Sequence, residues 1–138
     1  TNTAVLESNY TYIHTNGYCR DSSVTHTSVK TKGTTAVTPK DVTSMKAALA
    51  VQPLSVSVQA ASTFSHYSSG IYTDSTCASD KSNHATLVVG WGKSGSTEYW
   101  IMKNSWGSGW GEDGYMRLKI IDGEGLCFIQ QRPKYPNL

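Results

Sequence analysis

His84 and Asn104 are the residues from which a catalytic base and its holder could be made. His84 opens an apolar run, Ala85-Thr86-Leu87-Val88-Val89-Gly90-Trp91-Gly92, which reads as a buried strand. A second run, Tyr99-Trp100-Ile101-Met102, delivers Asn104 at its end, and Lys93 to Thr97 reads as a hairpin turn between the two. If the strands pair, the histidine and the asparagine lie side by side. The amide oxygen then accepts from one imidazole nitrogen, fixes the tautomer and aims the other nitrogen at a nucleophile. Asparagine does this without adding charge, which suits a base paired with a thiolate. Trp106, two residues on, is placed to cover the bond and keep water from it. Alone, a strand-end His reads as structural and a strand-end Asn as a turn former. Only the pair points to chemistry.

The segment from Asn104 to Tyr115 holds two of the four tryptophans and four of the twelve glycines. Glycine permits positive φ and close approach of one backbone to another surface. No nucleophile accompanies the pair. The three cysteines, Cys19, Cys77 and Cys127, lie in loops or near the C-terminus, none at a helix start that would lower its pKa. They read as disulfide cysteines, with no CxxC pair to suggest zinc. Three is odd, so in an oxidising compartment one is free or pairs outside the chain. Ser105 lacks a G-x-S-x-G elbow. No cofactor or metal site is expected.

The elements that must position these residues follow from local patterns. Ala4-Val5-Leu6 reads as the end of a helix, Val24 to Val29 as a strand and Asn16-Gly17 as a turn. Thr38-Pro39-Lys40-Asp41 is a helix start, with Thr38 as cap and Pro39 in the first helical position. Met45, Ala48 and Leu49 share a face, and Gln52-Pro53 ends the helix. Leu54, Val56 and Val58 alternate with polar residues as a half-buried strand. Phe64 to Tyr67 is a short turn or helix, and residues 73–83 are polar loop. Tyr115 to Ile120 is a further strand, followed by a turn at Asp122 to Gly125. Strands joined by short turns imply an α+β fold with an antiparallel sheet or partly open barrel.

At 138 residues the chain suffices for one domain of ordinary size. Its net charge of +2 comes from scattered Lys and Arg, so no nucleic-acid partner is expected. No run of 18 apolar residues suggests a membrane span, and no signal peptide opens the chain. Charged residues are 16%, low beside the ~25% of an average soluble protein, and Ser and Thr are abundant. This favours a secreted or vesicular protein. Asn9-Tyr10-Thr11 is a candidate glycosylation acceptor.

Asn83-His84-Ala85, Val88-Val89-Gly90-Trp91-Gly92 and Tyr99 through Gly111 closely resemble the papain-like cysteine proteases of the papain and cathepsin L type. The likeness continues through Gly114-Tyr115-Met116-Arg117, Cys127 and Tyr135-Pro136. It also covers Tyr10-Thr11-Tyr12, Tyr18-Cys19-Arg20 and Gln52-Pro53-Leu54-Ser55-Val56. The resemblance implies that His84 is the base, Asn104 its orienter and Trp106 its shield, with Trp110 on the leaving-group side of the cleft. Asn83 stands where many relatives have an acid. The family's nucleophilic Cys lies roughly 130–150 residues before the His and Asn, so residues 1–138 would be the C-terminal, barrel-like half of the enzyme. Residues 1–8 would then trail from an absent N-terminal helical half, and the chain would be inactive alone. By the same likeness Cys77 pairs with Cys127, and Cys19 pairs with the absent segment.

Ser57, Ser82, Ala85 and Arg132 match the family subsite for the second residue before the scissile bond. Arg132 departs from the usual apolar or acidic residue, which implies weaker preference for a bulky apolar side chain and tolerance of an acidic one. Phe128 stands where relatives commonly have Gly. Expected partners are the N-terminal half, peptide substrates and cystatin-like or propeptide inhibitors, in a secreted, lysosomal or vacuolar setting. Two competing readings are a non-catalytic papain-fold relative that binds or scaffolds, and an isolated half-domain acting as an interaction module.

Overall fold

The computed structural model describes residues 3–77 and 82–138. The chain divides into a smaller unit, running through Thr35 and taking in Pro136–Leu138, and a larger one, Ala36–Tyr135. In the smaller unit β1 (Thr3–Val5) pairs antiparallel with β2 (His26–Lys30). The expected helix end at Ala4 to Leu6 is therefore corrected to a strand. Three residues cannot close a helical turn with its own hydrogen bonds, whereas a strand borrows them from its neighbour. The expected strand at Val24 to Val29 begins later, and Val29 is 52% exposed. The bend expected at Asn16-Gly17 falls instead at His14-Thr15, where His14 has φ 56°. A third short strand, β3 (Thr34–Ala36), spans the boundary between the units.

The larger unit begins with a turn through Pro39-Lys40, then α1 (Val42–Leu49). Asp41, not Thr38, caps this helix: Ser44 N donates to its Oδ1 at 3.1 Å and Ser44 Oγ to its Oδ2 at 2.9 Å. These bonds favour the charged carboxylate and hold Asp41 below its ordinary pKa. Pro39 pre-sets the turn before the helix rather than its first position. Met45 and Leu49 face inward, as their spacing predicts.

The sheet of this unit runs in the order β9-β4-β6-β7-β8-β5. Its members are β4 (Leu54–Val58), β5 (Ile71–Tyr72), β6 (His84–Ser94), β7 (Thr97–Lys103), β8 (Tyr115–Lys119) and β9 (Lys134–Pro136). Leu54, Val56 and Val58 are buried, so the alternation in β4 is a true core face. Trp100, Met102, Met116, Leu118 and Val88 bury on the same core, with Phe64 from the short helix α2 (Ser62–Ser65). The expected α+β fold with an antiparallel sheet or partly open barrel is found, with one refinement in strand direction. β5 runs parallel to β8, and no pairing among the described residues closes the sheet.

Two features of the β6–β7 hairpin set up what lies at its end. Gly92 pairs with Tyr99, and a Cβ there would come within 2.6 Å of the tyrosine hydroxyl, so only glycine lets that ring lie across the strand. Val88 pairs with Met102 but Gly90 pairs with Ile101, so the register shifts by one residue at Val89. A one-residue slip turns every later side chain to the other face. The bulge thus chooses which face of β6 His84 and Thr86 occupy.

Candidate active site

His84 is the first residue of β6, where it pairs with Val58 of β4. Asn104 directly follows β7 and extends its ladder, since Asn104 N donates to Gly114 O at 2.9 Å. His84 Nε2 lies 2.8 Å from Asn104 Oδ1. Ser105 N also donates to that atom, at 2.8 Å. A backbone N–H can only donate, so its partner must be the amide oxygen and not the nitrogen. An oxygen there can only accept, so Nε2 carries the proton. The other nitrogen, Nδ1, is then the basic one in the neutral ring. It makes no hydrogen bond among the described residues. The arrangement is a base with its tautomer set from behind and its lone pair presented forward.

Trp106 covers this pair. Its ring stacks on the imidazole with centroids 4.9 Å apart and planes at 26°. The stack lies just beyond the last paired residues of the hairpin, Leu87 and Lys103. Trp106 is itself 41% exposed. Behind it Trp110 packs edge-on at 5.2 Å, and Phe64 and Tyr67 back Trp110 at 6.0 and 5.5 Å. Trp110 Nε1 donates to Ser65 O at 3.1 Å. Sequence patterns offered no signal for Phe64 and Tyr67, which join this cluster from α2 and the turn after it.

The loop that carries both indoles needs its glycines. Gly111 has φ 60°, and a Cβ there would sit 2.5 Å from Tyr115 O. Glu112 then ties the loop to the sheet. Arg117 Nε donates to its Oε2 at 2.9 Å, Arg117 Nη2 to its Oε1 at 2.6 Å and Gly70 N to its Oε1 at 2.8 Å. The guanidinium holds the Glu112 carboxyl below its ordinary pKa. Arg117 also lies 5.5 Å over the Tyr99 ring. This bracing is a second feature that periodicity did not reveal: Glu112 and Arg117 lie five residues apart, but Gly70 is 42 residues from Glu112.

The remaining expected site residues are placed as follows. Asn83 fastens the start of β6: its Oδ1 accepts from Ala60 N at 2.8 Å and its Nδ2 donates to Ala60 O at 3.3 Å. Ser57 and Ala85 are register partners across β4 and β6. Ser82 Oγ is buried, and Arg132 is exposed two residues before β9, whose Lys134 pairs with Ser55. Cys77 and Cys127 form a disulfide with a Cα–Cα distance of 5.0 Å. Cys127 and Phe128 both have positive φ, 52° and 65°, so the position of Phe128 favours a residue without a side chain. In the smaller unit Cys19 is free and exposed, and Asn9 is exposed with its Nδ2 donating to Thr25 O at 3.3 Å. No group of three or more His, Cys, Asp or Glu suited to a metal occurs among the described residues.

Residues 1–137 match the family model "Papain family cysteine protease". Vignain of Phaseolus vulgaris is 42% identical over 134 residues, covering 94% of this chain and 36% of its own length. Papaya proteinase 4 of Carica papaya is 40% identical over 134 residues, covering 95% and 38%. This chain therefore spans well under half the length of these relatives. Among solved structures, bromelain from Ananas comosus, held with an inhibitor, superposes with a TM-score of 0.89 at 33% identity, covering 99% of this chain and 64% of that one. Digestive procathepsin L 3 of Tenebrio molitor gives 0.88 at 38% identity, covering 97% and 44%. By sequence over its whole length and by fold, the chain belongs to the papain family of cysteine proteases.

Proposed function

We propose that this chain is the half of a papain-like thiol endopeptidase that carries the base, with the nucleophilic cysteine supplied from outside residues 1–138. One observation carries the reading: His84 Nε2 is bound by Asn104 Oδ1 under the Trp106 ring, while Nδ1 is left free. A structural histidine has no need of that combination. Two of the chain's cysteines are bonded to each other and hence are not thiols. The third, Cys19, is the partner proposed for a disulfide to the N-terminal half.

In the proposed reaction the nucleophilic thiol gives its proton to His84 Nδ1. The thiolate attacks the peptide carbonyl carbon, and the carbonyl π electrons move to oxygen. As the intermediate collapses, the C–N bond breaks and the leaving amine takes the proton from Nδ1. Nδ1 then removes a proton from water, which attacks the thioester carbon and releases the acid and the thiolate. Asn104 keeps Nε2 protonated and the ring oriented throughout. The disulfide and the exposed Asn9 support a secreted, lysosomal or vacuolar setting. Trp110 would flank the leaving-group side. Ser57, Ser82, Asn83, Ala85 and Arg132 would contact substrate, with Arg132 relaxing the demand for a bulky apolar residue. Cystatin-like or propeptide inhibitors are the proposed regulators.

The experiment is mass spectrometry of the parent protein after treatment with a thiol-directed epoxide, with and without prior reduction. The reading expects one epoxide adduct on a cysteine outside this chain, hydrolysis of a peptide substrate that the adduct abolishes, and release of a second polypeptide by reduction. A protein that takes no adduct and cleaves nothing is the binding or scaffold relative instead.

A further inference from the structure

Two buried polar atoms beside the catalytic pair make no hydrogen bond: Thr86 Oγ1 and Asn104 Nδ2. The residues are 9% and 8% exposed. Both line one depression of about 270 Å³, together with Ala85, Leu87, Lys103 and Ser105. Continuing the Leu87↔Lys103 pairing by one residue sets Thr86 opposite Asn104. Directly opposed residues of antiparallel strands hold their Cβ atoms about 4.5–5.5 Å apart. The two atoms do not bond each other directly, but groups at that spacing can share one water. Their chemistry is complementary: Nδ2 has protons to give, and Oγ1 has lone pairs to take.

A buried donor left unmade costs more than the made bond is worth, so a water between the two groups is the natural remedy for both. The consequence reaches the histidine. Asn104 Oδ1 is held by two donors, His84 Nε2 and Ser105 N, but nothing else holds the nitrogen end of the amide. Left without any partner, Nδ2 would favour rotation of the amide toward solvent, at the expense of the 2.8 Å bond between Oδ1 and the ring.

We propose that Thr86 is a positioning residue: its hydroxyl accepts from one water in the depression that itself accepts from Asn104 Nδ2, and this bridge holds Oδ1 on His84. The catalytic consequence rests on the protease reading above; the bridge does not. The test uses Thr86→Val, which removes the acceptor at nearly constant shape, and Thr86→Ser, which keeps it. In the parent protein, NMR should find the Asn104 side-chain amide protons exchanging slowly with solvent. The rate should stay slow in Thr86→Ser and rise about tenfold in Thr86→Val, the scale of one buried hydrogen bond. The kcat/KM of Thr86→Val should fall about tenfold through kcat, with Thr86→Ser restoring it to within about twofold. Should Thr86→Val not fold, Thr86→Ala carries the same comparison. Equal exchange and equal turnover in all variants would overturn the proposal. So would equal losses in Val and Ser, which would mean packing alone. Faster exchange in Thr86→Val with no hydrolysis by any variant would leave the bridge standing and remove the protease reading.

Discussion

The larger and smaller units each hold a partly buried histidine near a strand start, and the two are used in opposite ways. His26 spends both ring nitrogens on the fold. Its Nδ1 meets Thr3 Oγ1 at 2.9 Å, and its Nε2 meets Asp21 O at 2.9 Å and Asp21 Oδ1 at 3.4 Å. It staples β1 to β2 and to the turn before β2. His84 spends one nitrogen, on an amide oxygen whose identity a backbone N–H certifies, and keeps the other forward. An indole lies on His84. A histidine with both nitrogens committed locks a fold; one with a single nitrogen committed can move a proton.

The sharpest way to break this contrast is substitution of the two histidines. On the proposed function, His84→Ala should cost the parent protein about a thousandfold or more in kcat/KM, the range of a lost general base, with little change in melting temperature. Peptide hydrolysis and a thermal melt measure both. Asn104→Ala should cost about ten- to a hundredfold, since the base remains but its tautomer and aim are no longer set. A smaller loss, about tenfold, is expected of Trp106→Ala, which opens the Nε2–Oδ1 bond to water. If Trp106→Ala cost as much as His84→Ala, the shield would be more than a shield.

Glu112→Gln should act on stability, with a defined sign. The Arg117 pair holds the Glu112 pKa below its unfolded value. Its contribution is therefore present above the ordinary carboxylate pKa of ~4.3 and is lost as pH falls through the lower folded value. Thermal melts of the two proteins should differ at pH 7 and converge in acid below that value. The smallest effect on turnover belongs to His26→Ala. Its kcat/KM should stay within about twofold of the parent, while stability drops by about 1 kcal/mol for the hydrogen bonds lost.

The parts of this molecule that show in the sequence are those written in local pattern. The β6–β7 hairpin was legible because two apolar runs flank a short turn, and β4 because its apolar residues alternate strictly. The nearness of His84 and Asn104 followed from that hairpin alone. The Val89 bulge was not legible, because an unbroken apolar run looks the same with or without an extra residue. Likewise the helix cap: Thr38 and Asp41 are both good caps, and only the folded turn through Lys40 at φ 63° selects the second. The parallel β5 of two residues, and the backing of the tryptophans by Phe64 and Tyr67, depend on contacts between distant segments. The family resemblance supplied what pattern could not, the pairing of Cys77 with Cys127, fifty residues apart.

The central claim is that His84 serves a thiolate. The most direct measurement is the rate of iodoacetamide alkylation of the parent protein's reactive cysteine as a function of pH, before and after His84→Ala. The account predicts rapid alkylation well below pH 7 in the parent, where an imidazolium stabilises the thiolate. In His84→Ala that limb should vanish, with reactivity rising only near the ordinary cysteine range of ~8.5. An alkylation profile identical in the two proteins would contradict it.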